Sequence, residues 1–577
     1  MAVFHAFDGT ELFYRHWPAK SGAARGAIVL FHRGHEHSGR MAHLVEELAL
    51  DDFEFFAWDA RGHGNSPGPR GHSPSIGASI RDVNDFVNEV SRVSGQPIEN
   101  IAVIAQSVGA VYVSAWIHDY APRIRCAVLA SPAFKVKLYV PFARRGLALM
   151  HKVRGNFVVK SYVKAKFLSH DPERIESFQA DPLITRDISV NILLALYETA
   201  ERVVADAQAI VTPIQMLISG SDFVVHHKPQ HDFFNHLGST IKERHVLPGF
   251  YHDTLGEKGR EEALRHVRRF ISERFAAPPV TVDLTNAHRA GATRQEADEL
   301  ATPLSPVSPR GLYWAATRAG MKIGGLLSNG LKLGHETGFD SGSTLDYVYR
   351  NAADSTNPLG RVIDRNYLSS IGWRGIRQRK VHLEELIRDA MRRLHDANMP
   401  IHVMDVAAGH GRYVLEALDS SPLKPQSIFL RDYSEINVAK GAELIGKKGL
   451  QDIARFEKGD AFDRASLASV TPKPTLAIVS GLYELFGDND LVSRSLAGIA
   501  DAVPENGYLV YTGQPWHPQL ELIARALTSH RGGEAWVMRR RSQAEMDQLV
   551  ERAGFRKLAQ RIDEWGIFTV SLAIRHA

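Results

Sequence analysis

A single cysteine, Cys126, stands in 577 residues. One thiol excludes an internal disulfide and a zinc centre built from cysteines. Set against the apolar run Ala127-Val128-Leu129-Ala130, it reads as a small core hydrophobe, and no metal site is expected. Long apolar runs are missing too. No stretch offers roughly eighteen uninterrupted apolar residues, so no helix crossing a membrane is expected. The opening residues, Met1 to Asp8, carry neither the basic segment nor the apolar core of a secretory signal, which points to the cytoplasm. Charge of one sign is equally scarce. A net charge of +4 over this length leaves no overall footprint for nucleic acid, and no such partner is expected. Internal repeats and low-complexity tracts are absent.

What is present is an ordinary globular composition, 44% hydrophobic and 23% charged, at a length that one hydrophobic core does not organise. Two α/β domains are expected. Residues 1–277 alternate helical patterns with the short runs Ala27–Phe31, Phe53–Trp58, Ile101–Ala105, Ala127–Ala130 and Ile214–Ile218, which are apolar on both faces as buried parallel strands are. Residues 278–310, from Pro278-Pro279 to Pro303, Pro306 and Pro309, have a linker composition. Residues 311–383 form a glycine-rich, aromatic and basic block. Over 384–577 the alternation resumes, with strands expected at Ile401–Val406, Ser427–Arg431, Thr475–Val479, Tyr508–Thr512 and Ile567–Ala573.

In the first domain an apolar strand, Ile101 to Ala105, runs into Gln106-Ser107-Val108-Gly109-Ala110 and on into a helical pattern. A sharp strand-to-helix turn exposes a serine hydroxyl and aims a helix N-terminus at it, provided the flanking residues are small. Gly109 fits, and Ala105 is tolerable if its φ is negative. Two loops follow early strands: His32-Arg33-Gly34-His35-Glu36-His37-Ser38-Gly39-Arg40, and Asp59-Ala60-Arg61-Gly62-His63-Gly64-Asn65-Ser66. Asp59, His63 and Ser66 read as turn-organising residues. Later come Asp222 after a strand and His252 in Gly249-Phe250-Tyr251-His252-Asp253, giving the order Ser, Asp, His. Asp253 rivals Asp222 as the acid, but Asp222 ends a strand on a tight turn.

These residues resemble the serine aminopeptidase and monoglyceride lipase branch of the α/β-hydrolases over nearly all of 1–277. The resemblance implies Ser107 as nucleophile, His252 as general base, Asp222 as its orienting acid, and the backbone N–H groups of Gly34 and Val108 as oxyanion donors. Arg33 and His35 replace smaller residues and are expected to narrow or polarise the oxyanion region. A lid is expected at about 131–212. From Lys135 to Lys166 it carries nine basic residues and no acid, interleaved with apolar and aromatic ones. Such a cap suits peripheral contact with an anionic membrane at its inner face, and equally a solvated basic face over a core stripe.

In the second domain Ile401-His402-Val403-Met404-Asp405-Val406-Ala407-Ala408-Gly409-His410-Gly411 is a strand ending in a small-residue loop that lets backbone approach a nucleotide closely. The loop alone serves a dinucleotide equally well. The next strand ends at Asp432, and a later one at Lys458-Gly459-Asp460-Ala461-Phe462. This series resembles class I S-adenosylmethionine-dependent methyltransferases with a Rossmann-like fold. It implies S-adenosylmethionine as cofactor, with Asp405, Ala407, Gly409 and Gly411 around the methionine end, Asp432 at the ribose and Asp460 at the adenine. Lone acids after strands also serve as helix caps. Glu484 and His517 follow later strands at the same sheet edge and are candidate acceptor-site groups. Leu312 to Leu333 is expected to form one amphipathic helix.

The whole reads as a serine hydrolase for an acyl ester, lipid-like in character, fused to a methyltransferase whose acceptor the sequence does not name. Peptidase or small-ester chemistry, or one half kept as a binding scaffold, remains open on the residues alone.

Overall fold

Strands buried on both faces must lie inside a sheet covered on both sides, and they arrange the two halves of this chain. The computed structural model describes residues 2–140, 142–419 and 421–576; Met1, Pro141, Ser420 and Ala577 lie outside the described residues. The chain divides into two compact units, Met1–Val282 and Asp283–Ala577.

In the first unit, β1 (Ala2–His5), β2 (Glu11–Trp17), β3 (Gly26–Phe31), β4 (Phe53–Trp58), β5 (Ile101–Gln106) and β6 (Cys126–Ala130) are followed by an insertion. The insertion holds a two-stranded antiparallel ribbon, β7 (Val158–Lys160) with β8 (Asp187–Ser189), and three helices, Ala143–Arg154, Pro172–Ala180 and Val190–Ala205. β9 (Ile214–Ser219) and β10 (Lys242–Leu247) complete an eight-stranded sheet in the order β1-β2-β4-β3-β5-β6-β9-β10. Only the contacts of β2 with β1 and β4 are antiparallel. This is the α/β-hydrolase fold. Ile28, Leu30, Ile104 and Val128 on one face pack against Leu264, Val267 and Phe270 of the helix Glu261–Ala276. Cys126 lies in that core, where burial pushes its thiol up to about 12.

The second unit holds β11 (His402–Val406), β12 (Ser427–Asp432), β13 (Ala454–Lys458), β14 (Leu476–Val479), β15 (Tyr508–Gly513), β16 (Phe555–Ile562) and β17 (Thr569–Arg575) in the order β13-β12-β11-β14-β15-β17-β16. All pairs are parallel except those made by β17. The order reverses beside β11, where open α/β sheets form their crevice. The sheet is Rossmann-like, as expected.

Two expectations about 278–333 change. The stretch 278–310 is not an open tether throughout: a helix, Ala292–Ala301, sits in it and is held by arginines of the second unit. Arg525 donates to the carbonyls of Glu299 and Thr302, Arg540 pairs with Glu296, and Arg539 donates to Thr293 Oγ1. A polar segment thus docks through guanidinium bonds in place of an apolar stripe. The single helix expected from Leu312 to Leu333 is two, Pro309–Gly325 and Asn329–Thr337. Ser328 breaks the run by accepting the Leu331 N–H as an N-cap.

Candidate active sites

β5 delivers Ser107 to the start of the helix Val108–Tyr120 with φ 55° and ψ −115°, a conformation that costs a non-glycine residue on the order of 1–3 kcal/mol. The strain is held in place: Ser107 N–H donates to Ala130 O, and Ser107 O accepts from Val111 and Ala133. A Cβ at Gly109 would lie 2.5 Å from His32 O, so only glycine lets the helix pass this close to the loop after β3. Ala105 stays within β5 and is not among the positive-φ residues, which is why it serves where a glycine is usual.

Ser107, His252 and Asp222 are brought together and buried. Ser107 Oγ lies 2.7 Å from His252 Nε2, and His252 Nδ1 lies 2.8 Å from Asp222 Oδ2. The other oxygen of Asp222 accepts the N–H groups of Val224 and Val225 at 2.7 and 3.0 Å, so the carboxylate is fixed before it meets the imidazole. Burial acts to raise the Asp222 carboxyl, but His252 and those two amides outweigh it and leave it below its ordinary value. Gly34 faces the first turn of the helix: a Cβ built on it would lie 3.1 Å from Val108 Cγ2. Asp59 and Ser66 organise their turn. Asp59 accepts the N–H groups of Ser38 and Asn65, while Ser66 Oγ donates to Asp59 O.

Asp253 has a different place. Its carboxylate meets Arg174 at 2.9 Å, Arg33 at 3.3 Å and Gln106 Nε2 at 3.1 Å, while Gln106 also donates to His252 O. Arg33 in turn grips Glu36 with two bonds, at 2.6 and 2.7 Å. Burial acts to raise the Asp253 carboxyl, but Arg33 and Arg174 overcome it and hold it far below the usual range. Arg33, expected with His35 to narrow or polarise the oxyanion region, pairs through Nε and Nη2 with two buried carboxylates, because an arginine this deep needs paired charge. The neighbours in sequence of Gly34, Ser107 and His252 therefore meet at one buried carboxylate. Gln106 and Arg174 were missed as site residues. Gln106 sits mid-motif, and Arg174 belongs to a helix whose first turn reads as ordinary surface.

The insertion is tied to the loop after β3. Thr185 N–H donates to His35 O, His37 Nε2 lies 2.9 Å from Asp181, and Arg40 donates to Ser177 Oγ. Its outward side exposes Tyr139, Phe142 (77%), Leu149 and Val153 (81%) among the basic residues. No helix among the described residues is long and apolar enough to cross a membrane.

In the second unit a cleft of about 670 Å³ opens at the ends of β11 and β12, lined by Ala407, Ala408, Gly409, His410, Asp432, Asp460 and Phe462 among others. Ala407, Gly409 and Gly411 all have positive φ, 62°, 59° and 71°. A Cβ at Gly409 would meet Gly342 Cα at 3.6 Å, an ordinary contact, whereas a Cβ at Gly411 would strike Leu430 at 2.5 Å. Gly411 thus fits the loop onto the sheet, while Gly409 is asked for by its positive φ. Asp432 closes β12 and accepts 2.9 Å bonds from Gly409 N–H, Ser434 N–H and Asn437 Nδ2. Those three donors leave about one of a carboxylate's four lone-pair sites free. Asp460 lies on the exposed rim and accepts the Phe462 N–H, while the helix that follows is capped by Asp463. The capping role is taken, and Asp460 faces the cleft.

Asp405 does not line the cleft. It is fully buried beneath the loop with neither oxygen hydrogen-bonded, and burial raises its carboxyl well above the ordinary value despite the nearby Tyr413 hydroxyl. Apolar surroundings disfavour the charged form of a carboxyl.

Glu484 and His517 both reach a second cavity, of about 140 Å³, which shares Asp340, Leu345, Arg379, Gly481 and Leu485 with the cleft. Glu484 Oε1 accepts from Thr512 Oγ1 at 2.7 Å and lies 3.7 Å from Arg379. His517 Nδ1 accepts the Gln519 N–H at 3.0 Å, which puts its proton on Nε2, and burial holds its pKa down to about 3. Arg379 lies in the block 311–383 that is basic in composition. Its register with Trp373, Ile376 and Leu383 on the helix Ile371–Asp396 places it in the apolar stripe, and that periodicity was the available signal.

Comparison with known proteins agrees with this division. Residues 267–575 match the family described as "Putative methyltransferase", and residues 22–259 match "Serine aminopeptidase, S33". The "Uncharacterized protein YnbC" of Escherichia coli (strain K12) is 57% identical over 572 residues, 99% of this chain and 98% of that one. The "Monoacylglycerol lipase" of Mycolicibacterium smegmatis is 25% identical over 46% of this chain and 95% of its own. A crystal structure of Paleococcus ferrophilus monoacylglycerol lipase aligns with a TM-score of 0.42 at 24% identity, covering 46% of this chain and 99% of that one.

Proposed function

This chain belongs to the "Putative methyltransferase" family, with an α/β-hydrolase domain related to monoglyceride lipases ahead of that region, and from this premise we propose a bifunctional enzyme. One half hydrolyses an acyl ester of lipid-like character. The other transfers a methyl group from S-adenosylmethionine. The observation that carries the first half is the unbroken 2.7 and 2.8 Å path from Ser107 through His252 to Asp222.

In the hydrolase, Ser107 Oγ attacks the ester carbonyl carbon as its proton passes to His252 Nε2. Asp222 stabilises the imidazolium and keeps the ring's orientation. The N–H groups of Gly34 and Val108 take the negative charge that develops on the carbonyl oxygen. His252 then returns the proton to the leaving alcohol, and water releases the acid by the same route. The apolar and basic residues on the outside of the insertion support a lipid-like ester and peripheral contact with an anionic membrane surface.

In the second half, the residues around the cleft fit S-adenosylmethionine: a glycine of positive φ in the loop that lines the cleft, a carboxylate at the end of β12 and an acid with an aromatic neighbour at the rim. When bound, that cofactor supplies an electrophilic methyl group on a sulfonium. Gly409 allows close approach of the backbone, with Ala407 and Gly411 shaping the turn. Asp432 would hold the ribose hydroxyls, and Asp460 and Phe462 would meet the adenine. Asp405 supports the loop from below.

Labelling with a fluorophosphonate probe, blocked in Ser107→Ala, tests the first half; hydrolysis of a long-chain monoacylglycerol against an aminoacyl ester tests the acyl class. Calorimetry with S-adenosylmethionine and NAD tests the second. Tight NAD binding with none for S-adenosylmethionine would make the cleft a dinucleotide site.

A further inference from the structure

The 140 Å³ cavity beside the cleft has the dimensions of an engineered protein cavity of about 150 Å³ that takes benzene. Its walls are apolar and aromatic, with Trp373, Ile376, Trp536, Met538 and Phe568. Its ionisable lining is unusual for so small a space. Glu484 is buried and its Oε2 has no hydrogen-bond partner; the Nε2 of Gln514 and the Nε1 of Trp536, both lining groups, are likewise unpartnered. A buried polar atom left without a partner costs about 1–3 kcal/mol, more when charged, so each of these three calls for a partner, and their convergence on one apolar cavity points to a shared one.

The charges narrow what that something is. One arginine, Arg379, faces two carboxylates, Asp340 and Glu484, and His517 is uncharged, so an anion entering the cavity gains no net attraction. Glu484 Oε2 accepts and cannot donate while ionised, so it calls for an O–H or N–H on the ligand. Gln514 Nε2 and Trp536 Nε1 offer donors to the lone pair of the same group. The opening toward the cleft passes Gly481, where a Cβ would stand 3.1 Å from Arg379 Nη2, so the residue there must be small.

We propose that this cavity holds the methyl acceptor, and that the acceptor is a ring-sized apolar molecule carrying a hydroxyl or an amine, which reacts at that oxygen or nitrogen. The assignment rests on the S-adenosylmethionine reading above. In transfer, the acceptor oxygen or nitrogen forms its bond to the methyl carbon as the carbon–sulfur bond breaks. The electron pair leaves on sulfur, giving the neutral thioether, and the acceptor's proton passes to Glu484 Oε2. His517, with its proton fixed on Nε2 and its charge suppressed, is a positioning residue at the cavity wall.

The test uses the full chain loaded with S-adenosylhomocysteine, its binding first measured by calorimetry. Phenol, benzylamine, toluene and benzoate are then titrated while the fluorescence of the tryptophans, two of which line the cavity, is followed. Phenol or benzylamine is expected to bind at least tenfold more tightly than toluene and benzoate, and Glu484→Gln is expected to erase most of that preference. Mass spectrometry after adding S-adenosylmethionine shows which of the two gains a methyl group. Benzoate or toluene binding as tightly as phenol and benzylamine in the native chain, which needs no variant, would overturn the acceptor class and leave the cofactor reading standing. An unchanged preference in Glu484→Gln would overturn it too. Failure of S-adenosylhomocysteine to bind would remove the cofactor reading and this inference together.

Discussion

The acid–base relay of the hydrolase site and the polar lining of the methyltransferase site are partnered in different ways. Around Ser107, the acid, the base and the second buried carboxylate all have partners within the protein: Asp222 in His252 and two amides, Asp253 in two arginines and a glutamine. Around the cleft and its neighbouring cavity, Glu484 Oε2, Gln514 Nε2 and Ser480 Oγ have none. The difference follows from the reagents. A serine hydrolase carries its nucleophile and its proton relay in its own side chains, so the site is complete when empty. A site that borrows its reactive group must keep donors and acceptors unspent until the ligand arrives.

Breaking the complete site should have the largest effect. Ser107→Ala is expected to lower ester hydrolysis by on the order of a thousandfold or more while the thermal unfolding of the chain stays the same. A variant retaining full activity would remove Ser107 from the chemistry. At the other site, Asp432→Ala is expected to weaken S-adenosylmethionine binding by about a hundredfold, or roughly 3 kcal/mol, because a charge-assisted bond and the anchor of the glycine loop are lost together. Fluorophosphonate labelling of Ser107 in the same protein should not change, and a parallel loss of labelling would show that the comparison between two self-contained sites is false.

Asp253→Asn sharpens the comparison from the hydrolase side. It leaves Arg33 and Arg174 facing an amide, and removing one partner of a buried pair typically costs about 3–5 kcal/mol. Native Asp253 is held below the unfolded value of about 3.9, so its stabilisation is present above that pH and disappears as the pH falls through lower values. The stability gap between native chain and variant, followed by denaturant titration, should therefore close below about pH 4. A gap of constant size would mean that the lost interaction is packing. The smallest effect is expected at Ala407. Its φ of 62° costs an L-residue roughly 1 kcal/mol, so Ala407→Gly should raise stability by up to about that amount. A lower melting temperature would show that the methyl group packs usefully.

The sequence made the interior strands plain because β14 is apolar throughout and β5 is apolar from Ile101 to Ala105, which only a doubly covered strand tolerates. The edges were harder to read. β10, Lys-Glu-Arg-His-Val-Leu, has one buried residue, and β16 mixes Arg, Lys and Gln with its apolar positions, so neither stood out from a helix face. Ser107, Asp222 and His252 were legible from order and turn chemistry. Arg174 and Asn437 were not, since each acts across a distance in the chain that no local pattern encodes. Asp405 carried a recognisable place in a motif but not its depth beneath the loop, which tertiary packing sets.

The ties between 174–185 and the loop after β3 have one more consequence. The loop that holds Gly34 and the insertion are not mechanically independent: backbone and side-chain bonds from His35, His37 and Arg40 reach directly into the insertion. A displacement of one is carried to the other, so a substitution in the insertion is felt at Gly34 as well as at its own surface.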